Sequence, residues 1–536
     1  MDGLTMDDYP LTLTGVIERA ERFHGDREVV SRRPDGSIHR TDYAAAASRA
    51  RRLAGALRSL GIGAGDRVAT LMWNQPEHLE LYFAVPAMGA VLHTLNPRLH
   101  PDELAYIAGH AGDSAIVVDE TLLGVLDSFL PRCDLGSVIV VRHGGDPPQA
   151  PEGALDYEQL LGGAEQVDWP RLDERRAAAM CYTSGTTGRP KGVAYSHRSA
   201  VLHALGSALP DALGVSWRDV VLPVVPMFHA NAWGLPYAAA LTGAGLVLPG
   251  PRLDADSVLE LLAAERVTLT AGVPTVWMAI LAALDADPDG WDLSPLRSMV
   301  VGGAAAPPSL IEGFDRHGLT VLHAWGMTET SPLGTVCHAS ADLEPGSAEQ
   351  YAYRARQGRA VPLVEIRARD EEGEVRWDDA AMGELEVRGP WVAGAYHGGE
   401  GTEKFTEDGW FRTGDVVTVD RHGCIKIRDR SKDLVKSGGE WISSVDMENL
   451  LMSHAAVAEA AVIAVPDERW GERPMAVVAL ADGATAGPEE LRAHLAADFA
   501  RWQLPERFEF VEEIPRTATG KWKKTELRER FLAPGD

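Results

Sequence analysis

Cysteine is scarce in this chain of 536 residues, which contains only four: Cys133, Cys181, Cys337 and Cys424. They are far apart and form no Cys-x-x-Cys pair, so the sequence implies neither a zinc cluster nor a disulfide framework. We expect all four to behave as small buried hydrophobic residues of a protein in a reducing compartment.

Positive charge is also in short supply, because 51 Lys and Arg residues stand against 78 Asp and Glu and give a formal net charge of -27. This balance argues against a protein whose main task is to coat nucleic acid. An anionic ligand would therefore need a local basic patch. The densest basic cluster near the C-terminus, residues 516–530, is interspersed with Glu526 and Glu529, which is typical of a solvated helix face.

Long apolar runs are missing as well, since no stretch reaches the ~18 residues of a membrane-spanning helix. The first residues, Met1-Asp2-Gly3, lack the basic and then apolar regions of a signal peptide. Hydrophobic residues make up 45% of the chain and charged residues 24%, which indicates a folded protein. With 536 residues, the chain is too long for a single hydrophobic core. We predict a cytoplasmic protein with neither a nucleic-acid partner nor an integral membrane segment.

The most informative segment is Thr183 to Gly192, Thr-Ser-Gly-Thr-Thr-Gly-Arg-Pro-Lys-Gly, which follows the apolar run Ala177 to Tyr182. Its glycines let backbone N–H groups approach anionic oxygens, its hydroxyls add donors or reach a metal ion, and Lys191 supplies positive charge. The spacing excludes a P-loop, because Gly188 is followed by Arg-Pro-Lys. The segment is interpreted as a different polyphosphate loop, with a flexible surface turn as the alternative.

Short apolar runs alternate with segments of helical period, which is the rhythm of an α/β fold. The predicted strands are 68–72, 115–118, 137–141, 220–226, 244–248, 268–272 and 298–302, and the predicted helices include 76–89, 255–265 and 274–284. They indicate a large mixed sheet covered by helices. Residues 384–428 read as β-meander pieces, and 429–433 break the pattern before a compact α+β region.

Five further segments carry groups suited to binding. They are 226–234 with His229 and Trp233, 302–307 with Gly302, Gly303 and Ala304, 324–330 with Ala324, Trp325, Gly326, Thr328 and Glu329, 410–415 ending at Asp415, and 517–521 ending at Lys521. An aromatic plane beside a carboxylate suits base stacking and Mg²⁺, and a carboxylate after a tight turn suits a ribose diol. Each also has a structural interpretation, such as a core histidine or a solvated lysine.

Taken in order, these segments resemble the adenylate-forming superfamily of acyl-CoA synthetases, peptide-synthetase adenylation domains and firefly luciferases. The resemblance spans nearly the whole chain, because the phosphate loop, Trp-Gly-Met-Thr-Glu, Thr-Gly-Asp, Asp-Arg-Ser-Lys-Asp and Thr-Gly-Lys occur at family-like separations. Segments 227–233 and 436–444 are most similar to bacterial medium- and long-chain fatty-acyl-CoA synthetases, and equally to methylmercaptopropionate-CoA ligases. One departure is Trp325, where a common family pattern has Tyr; a Trp gives a larger stacking plane with a donor-only N–H.

The resemblance implies that ATP, Mg²⁺ and coenzyme A are used in two steps: a carboxylate forms acyl-AMP with release of pyrophosphate, and the CoA thiol then displaces AMP. It implies catalytic roles for Lys521, Glu329 and His229 and a metal site at Thr183 and Glu329. The implied cofactor-binding residues are Thr183, Ser184, Gly185, Thr186, Thr187, Gly188, Lys191, Gly303, Ala304, Ala324, Trp325, Gly326, Thr328, Asp415, Arg430, Lys432, Lys436, Gly438, Gly439 and Trp441, and the implied acyl-binding residues are His229, Trp233, Gly302 and Gly303.

The resemblance also implies two domains and a moving part. Residues 1–428 would form a large N-terminal domain of mixed sheets with a β-subdomain, 429–434 a hinge about Lys432, and 435–536 a small mobile α+β domain. Rotation about the hinge would present Lys521 in the first step and Gly438-Gly439, beside the pantetheine channel, in the second. A homodimer is expected from the resemblance to fatty-acyl-CoA synthetases.

Two other functions stay open at this point. An adenylating enzyme could pass its acyl group to an acceptor other than CoA, such as a carrier protein or an amine. A peptide-synthetase role is disfavoured because no Asp in the pocket segments resembles an amino-group anchor. A non-catalytic binder that kept the fold would be expected to lose Lys521 or Glu329, and both are present.

Overall fold

The computed structural model describes residues 6, 8–144, 149–183, 189–430, 433–437, 440–467, 469–516 and 522–532. In chain order its strands are β1 Glu28–Arg32, β2 Ile38–Asp42, β3 Arg67–Leu71, β4 Val91–Thr94, β5 Asp113–Asp119, β6 Ser137–Val141, β7 Leu155–Asp156, β8 Ala177–Tyr182, β9 Gly192–Ser196, β10 Val220–Pro223, β11 Gly245–Leu248, β12 Leu269–Gly272, β13 Ser298–Val301, β14 Val321–Gly326, β15 Leu333–Cys337, β16 Arg359–Ala360, β17 Glu365–Arg369, β18 Met382–Arg388, β19 Phe411–Val419, β20 Ile425–Arg430, β21 Val435–Ser437, β22 Glu440–Ile442, β23 Val457–Asp467, β24 Gly471–Leu480 and β25 Arg507–Phe510.

The α-helices are α1 Leu13–His24, α2 Tyr43–Ser59, α3 Pro76–Ala87, α4 Pro101–Ala111, α5 Leu123–Phe129, α6 Tyr157–Gly162, α7 His197–Ala208, α8 Leu235–Thr242, α9 Ala255–Ala264, α10 Pro274–Ala286, α11 Pro308–Arg316, α12 Ala348–Arg354, α13 Ser444–Met452, α14 Pro488–Leu495 and α15 Lys524–Phe531. The predicted strand 137–141 matches β6, and the other predicted strands and helices differ from the structure by a few residues at their ends. Within the described residues, no helix combines the length and hydrophobicity needed to cross a membrane.

Two large sheets form the first 360 residues. The alternation of strands and helices predicted one mixed sheet, whereas the family resemblance implied several. The first has nine strands in the order β16-β15-β14-β13-β12-β10-β11-β1-β2, and the second has seven in the order β7-β6-β5-β3-β4-β8-β9. Strands β10 to β14 pair in parallel, and β15 turns back antiparallel beside β14. A run of short apolar strands does not show which strands pair, so the alternation could not reveal that they divide into two sheets.

Helix α3 shows how the sheets and their helices share a core. All twelve of its residues are buried, although the segment includes Glu77, His78 and Glu80. The carboxylate of Glu80 accepts one hydrogen bond from Arg49 Nε and another from the Tyr157 hydroxyl, each at 2.6 Å. A buried charge needs such partners, so α3 depends on these polar contacts as well as on its apolar surface.

A four-stranded antiparallel sheet, β17-β18-β19-β20, follows the two large sheets, as the predicted β-meander required. Strand β20 ends at Arg430, with Asp429 and Arg430 paired to Val416 and Asp415. A further sheet, β22-β21-β24-β23 with β25 beside β24, forms the C-terminal region with α13 to α15. The predicted fold class, α/β with a β-subdomain and a small α+β C-terminal region, is confirmed, whereas the hinge at 429–434 stays a prediction.

Candidate active site

The candidate site is built where parallel strands end. In the first sheet β13 leads into Gly302 and β14 into the turn that carries Glu329, and in the second sheet β8 leads into Thr183. Gly303 and Ala304 are exposed just beyond β13, so bare backbone faces the solvent there. The carboxyl ends of parallel strands are the usual location of ligand sites in open α/β sheets.

Three predicted nucleotide-binding residues meet at one carboxylate. The indole N–H of Trp325, on β14, donates to Asp415 Oδ2 at 3.0 Å, and Arg430 Nε lies 2.7 Å from Asp415 Oδ1. The Asp415 side chain is only 2% exposed, whereas that of Arg430 is 36% exposed. Asp415 is therefore held in one orientation by an aromatic donor and a cation, and its remaining lone pairs can accept from a ligand hydroxyl.

Trp325 is positioned by its neighbours as well as by this bond. A Cβ at Gly334, on the antiparallel strand β15, would lie 2.5 Å from the Trp325 ring, so only a glycine leaves room for the indole. The indole ring is buried, while Gly326 beside it is half-buried. The larger ring that distinguishes this chain from the Tyr pattern is thus accommodated, and its N–H is used within the protein.

Glu329 lies on a single 3₁₀ turn, Thr328–Thr330, directly after β14. The Tyr396 hydroxyl donates to Glu329 Oε1 at 2.6 Å, and both side chains are buried. The Thr328 carbonyl accepts from the buried Tyr195 hydroxyl at 2.8 Å, which fixes the turn from the other side. Within the described residues, no donor reaches Glu329 Oε2, so this carboxylate keeps one oxygen for a ligand.

The two described ends of the predicted phosphate loop are joined to each other. Thr183 N–H donates to the Lys191 carbonyl at 3.0 Å, and Lys191 N–H donates to Thr183 Oγ1 at 3.1 Å. The Lys191 ammonium lies 5.3 Å from the centre of the Tyr396 ring and 3.9 Å from Glu403 Oε1. Residues 184–188 lie outside the described residues, so the predictions for Ser184, Gly185, Thr186, Thr187 and Gly188 are not tested.

The acyl-side residues lie on an unusual turn. Ala230, Asn231, Ala232 and Trp233 all have positive φ, from 43° to 55°, and Gly234 follows with φ 69°. A left-handed conformation costs about 1–2 kcal/mol for each non-glycine residue, so the surroundings must hold the turn in place. Cys181 Sγ donates to Asn231 Oδ1 at 2.8 Å, which is a polar contact that the expected hydrophobic role of this cysteine did not include.

This turn places Trp233 against Gly302. A Cβ at Gly302 would lie 2.9 Å from Trp233 Cη2 and 3.1 Å from the Ala324 carbonyl oxygen. Gly302 therefore brings the acyl-side tryptophan next to β14, the strand that carries Trp325. His229, half-buried, precedes the turn, and its backbone N–H donates to the Pro226 carbonyl at 3.1 Å.

The predicted C-terminal site residues are not tested. Lys521, Lys432, Gly438 and Gly439 lie outside the described residues, as do the side chains of Lys436 and Trp441. The backbones of Lys436 and Trp441 are paired in register between β21 and β22. The roles that the resemblance implies for these residues stay predictions.

The structure thus groups Trp325, Asp415 and Arg430, and separately places Glu329 and Lys191 on either side of Tyr396. Tyr396 joins Glu329 to Lys191 and was not predicted, because both of its partners lie far from it in the sequence. Within the described residues, no group of three or more His, Cys, Asp or Glu side chains could hold a metal ion by itself. A divalent ion at Glu329 and Thr183 would therefore need oxygens from its ligand or from water, which is how Mg²⁺ usually binds with phosphates.

Comparison with known proteins identifies the family. The AMP-binding enzyme family matches residues 16–397, and the AMP-binding enzyme C-terminal domain matches residues 446–521. The first match alone covers more than half of the chain. The chain belongs to the AMP-binding enzyme family.

Full-length relatives narrow the class. The chain is 52% identical to a long-chain-fatty-acid–CoA ligase of Thermus thermophilus, over 98% of this chain and 97% of the relative. It is 46% identical to a 3-methylmercaptopropionyl-CoA ligase of Ruegeria pomeroyi and 44% identical to a medium-chain-fatty-acid–CoA ligase of Ectopseudomonas oleovorans, in each case over 97% of this chain, with 97% and 96% of the relative covered. These relatives confirm the predicted resemblance and the predicted enzyme class, an AMP-forming acid–thiol ligase.

Solved structures agree with this assignment. An anthranilate CoA ligase in complex with anthranoyl-AMP has a TM-score of 0.86 at 26% identity, covering 98% of this chain and 99% of that one. The ATP-bound MatB of Rhodopseudomonas palustris has a TM-score of 0.82 at 27% identity, covering 97% and 99%. The fold therefore extends over both regions of the chain.

Proposed function

We propose that this protein is an ATP-dependent ligase that joins a medium- to long-chain fatty acid to coenzyme A through an acyl-AMP intermediate. The carboxylate oxygen attacks the α-phosphorus of ATP and pyrophosphate leaves; the CoA thiol then attacks the acyl carbon, loses its proton and displaces AMP. The observation that carries the proposal is the convergence of Trp325 and Arg430 on the buried carboxylate of Asp415. Full-length identity to fatty-acid CoA ligases supports it.

Asp415 is proposed to hold the nucleotide by its ribose. Its two oxygens are each engaged by one protein donor, which leaves acceptor capacity on both for the 2′- and 3′-hydroxyls. Arg430 keeps the carboxylate aligned and adds positive charge beside the phosphates. Gly303, Ala304, Ala324, Trp325 and Gly326 are proposed to line the adenine side. Trp325 donates to Asp415, Ala324 and Gly326 flank it on β14, and Gly303 and Ala304 follow the adjacent parallel strand β13.

Glu329 and Thr183 fit a magnesium site, because both offer hard oxygen ligands and Glu329 Oε2 has no donor among the described residues. Bound Mg²⁺ would neutralise charge on the ATP phosphates. Lys191 contributes a second positive charge on the same side of the site. These residues lower the repulsion between two anionic reactants, which is the main obstacle to the first step, and hold them in line.

The second step is proposed to need the C-terminal domain. Lys521 would contact the acyl carboxylate and the α-phosphate in the first step, and rotation about Lys432 would bring Lys436, Gly438, Gly439 and Trp441 to the CoA side. This removes the adenylating lysine from the path of the thiol. His229 is proposed to assist thioester formation from the entrance of the acyl pocket. These roles rest on the family resemblance.

Chain length is proposed to be set where Trp233 meets Gly302. A glycine at 302 lets the indole lie directly on β13 and β14, so the position of Trp233 controls how much of this space an acyl chain can use. Relatives named for medium-chain, long-chain and 3-methylmercaptopropionyl substrates match at 44% to 52% identity. A 3-(methylthio)propanoate-CoA ligase is therefore the second candidate, and a non-CoA acceptor the third. A cytoplasmic homodimer active in fatty acid metabolism is proposed from the same resemblance.

The proposal is tested by mass spectrometry of the products formed from Mg-ATP, CoA and a panel of acids from acetate to palmitate, with 3-(methylthio)propanoate and benzoate included. A thioester with AMP and pyrophosphate, best for a C8 to C16 acid, is the expected result. A clear optimum for 3-(methylthio)propanoate would establish the second candidate. Acyl-AMP without thioester would mean that the acceptor is not CoA. Size-exclusion chromatography with light scattering tests the dimer.

A further inference from the structure

Tyr396 is the only residue of the described site that contacts both the metal-ligand candidate and the phosphate-loop lysine. Its hydroxyl donates to Glu329 Oε1 at 2.6 Å, and the Lys191 ammonium lies 5.3 Å from its ring centre. Neither contact could be expected from sequence, because Tyr396 lies 67 residues beyond Glu329. One side chain therefore lies between the two groups that would face the anionic end of the nucleotide.

The ring of Tyr396 is held so that its hydroxyl has little freedom. It packs edge-on against Phe405 and Phe411, with ring centres 5.6 Å and 6.4 Å away. Gly401, at φ 61°, closes over it, since a Cβ there would lie 2.9 Å from Tyr396 Cδ2 and 3.1 Å from Lys191 Nζ. The loop after Tyr396 thus packs against both the ring and the lysine. The hydroxyl is the polar end of a side chain that is otherwise surrounded by Phe405, Phe411 and Gly401.

The backbone on both sides of this contact is tied together as well. Ala393 N–H donates to the Glu329 carbonyl at 2.7 Å, so Glu329 receives one bond at its backbone and one at its side chain from residues 393–396. A hydroxyl that donates to a carboxylate removes rotamers of that carboxylate and leaves the other oxygen directed elsewhere.

We propose that Tyr396 is a positioning residue for the metal-bound nucleotide: its hydroxyl occupies Glu329 Oε1 so that Oε2 is presented to the divalent cation, and its ring holds Lys191 beside it. This rests on the proposed function, in which Glu329 binds the cation. Removal of a group that orients a metal ligand typically lowers metal affinity or activity by about 10-fold to 100-fold. Tyr396 itself touches no reacting atom in this account.

The chain contains a matched control. Tyr157 donates to Glu80 Oε2 at 2.6 Å, and both residues are buried, but Arg49 occupies the other Glu80 oxygen. Tyr396→Phe and Tyr157→Phe therefore remove the same hydrogen bond from the same kind of pair, one in the site and one in the scaffold. Both keep the aromatic ring, so Tyr396→Phe leaves the contact with Lys191 intact.

The experiment measures Mn²⁺ binding by electron paramagnetic resonance, in the presence of α,β-methylene-ATP, for the full-length wild type and both variants. Binding of the same analogue in EDTA is measured by calorimetry, and thermal unfolding reports the fold. We expect Tyr396→Phe to weaken Mn²⁺ binding about 10-fold or more, with metal-free nucleotide binding unchanged, and Tyr157→Phe to leave both affinities unchanged. Should Tyr396→Phe fail to fold, 4-fluorophenylalanine incorporated at position 396 also lacks the donor, keeps the aromatic ring beside Lys191 and is measured in the same way.

Four results would overturn the inference. Wild-type Mn²⁺ affinity in Tyr396→Phe would show that the hydroxyl does not position Glu329. Equal losses in Tyr396→Phe and Tyr157→Phe, or parallel losses of Mn²⁺ and metal-free nucleotide binding, would show a general structural role. A wild type that binds the nucleotide without any metal dependence would remove the metal site of the proposed function itself, and this inference with it.

Discussion

Two tyrosine–glutamate pairs in this protein have the same chemistry and different surroundings. Tyr157 donates to Glu80 and Tyr396 donates to Glu329, each over 2.6 Å and each buried. Glu80 has its second oxygen bound by Arg49, whereas Glu329 has no second donor among the described residues. The hydrogen bond alone therefore does not identify the site. Position and acceptor capacity together distinguish the two pairs. Glu329 lies in the turn after β14, beside the tyrosine that contacts Lys191, and its second oxygen has no donor among the described residues, so it can accept from a ligand.

The largest effect on activity is expected when the Glu329 carboxylate is neutralised, with neutralisation of Glu80 as the matched control. Glu329→Gln keeps an acceptor for Tyr396 but removes the charge, and we expect ATP–pyrophosphate exchange to fall about 100-fold to 1000-fold, the scale for losing one electrostatic group in an active site. Glu80→Gln should leave exchange within about two-fold and lower the melting temperature, because it weakens the buried hydrogen bond that the residue at position 80 accepts from Arg49. Exchange kinetics and differential scanning fluorimetry measure both. Equal kinetic losses would contradict the distinction.

Two aspartates, one in the site and one outside it, extend the comparison. Asp415 is bound by Trp325 and Arg430 in the site, whereas Asp379 is bound by both terminal nitrogens of Arg356, at 2.9 Å and 2.7 Å, outside it. Asp415→Asn should raise the KM for ATP about 10-fold to 100-fold, since hydrogen bonds to a charged group are worth about 1.5–3 kcal/mol each.

The matched variant is Asp379→Asn, which loses an ion pair of the same kind and should leave the KM for ATP unchanged. Steady-state kinetics at saturating acid and CoA separate the two. An unchanged KM in Asp415→Asn would show that this carboxylate does not hold the nucleotide.

The acyl side allows a steric version of the same comparison. Gly302→Ala would place a methyl group 2.9 Å from Trp233, and we expect kcat/KM for the best fatty acid to fall about 10-fold, in the range of overpacking costs of about 1–3 kcal/mol. Gly109→Ala, on the surface of α4 with nothing within 4 Å of its Cβ, should have wild-type activity. Activity over acids of increasing length is the measurement. A uniform loss with short and long acids would place Gly302 outside the acyl pocket.

The smallest expected effect is on the pH dependence of stability, through the buried side chain of His203. Burial lowers the pKa of His203 to about 4, and its Nε2 accepts from Leu333 N–H at 3.2 Å. Because the folded pKa lies below the ordinary 6.5, the unfolded state binds the additional proton, and stability falls as pH drops from 6.5 towards 4. His203→Gln keeps an acceptor and should make unfolding midpoints less dependent on pH in this window. An unchanged pH dependence would mean that His203 does not contribute to it.

Sequence patterns predicted the parts of this molecule that are local. The apolar strands were found, because each is defined by neighbouring residues, and the segments carrying Trp325 and Asp415 were recognised in the same way. These patterns did not show the contacts between residues that are far apart in the sequence. The hydrogen bond between Trp325 and Asp415 joins residues 90 positions apart, and the one between Tyr396 and Glu329 joins residues 67 positions apart. The division into two large sheets and the left-handed turn at 230–233 were missed for the same reason, since partners elsewhere in the chain hold them in place.

The most direct test of the central claim is a single-turnover chase with enzyme in excess over decanoate. The protein is mixed with Mg-ATP and labelled acid without CoA, quenched over time and analysed for acyl-AMP and pyrophosphate; CoA is then added to a parallel sample. We predict acyl-AMP and pyrophosphate in equal amounts, followed by conversion of that acyl-AMP to decanoyl-CoA and AMP when CoA arrives. Acyl-AMP that persists after CoA is added, or no acyl-AMP at any time with an acid that yields thioester, would contradict the two-step account.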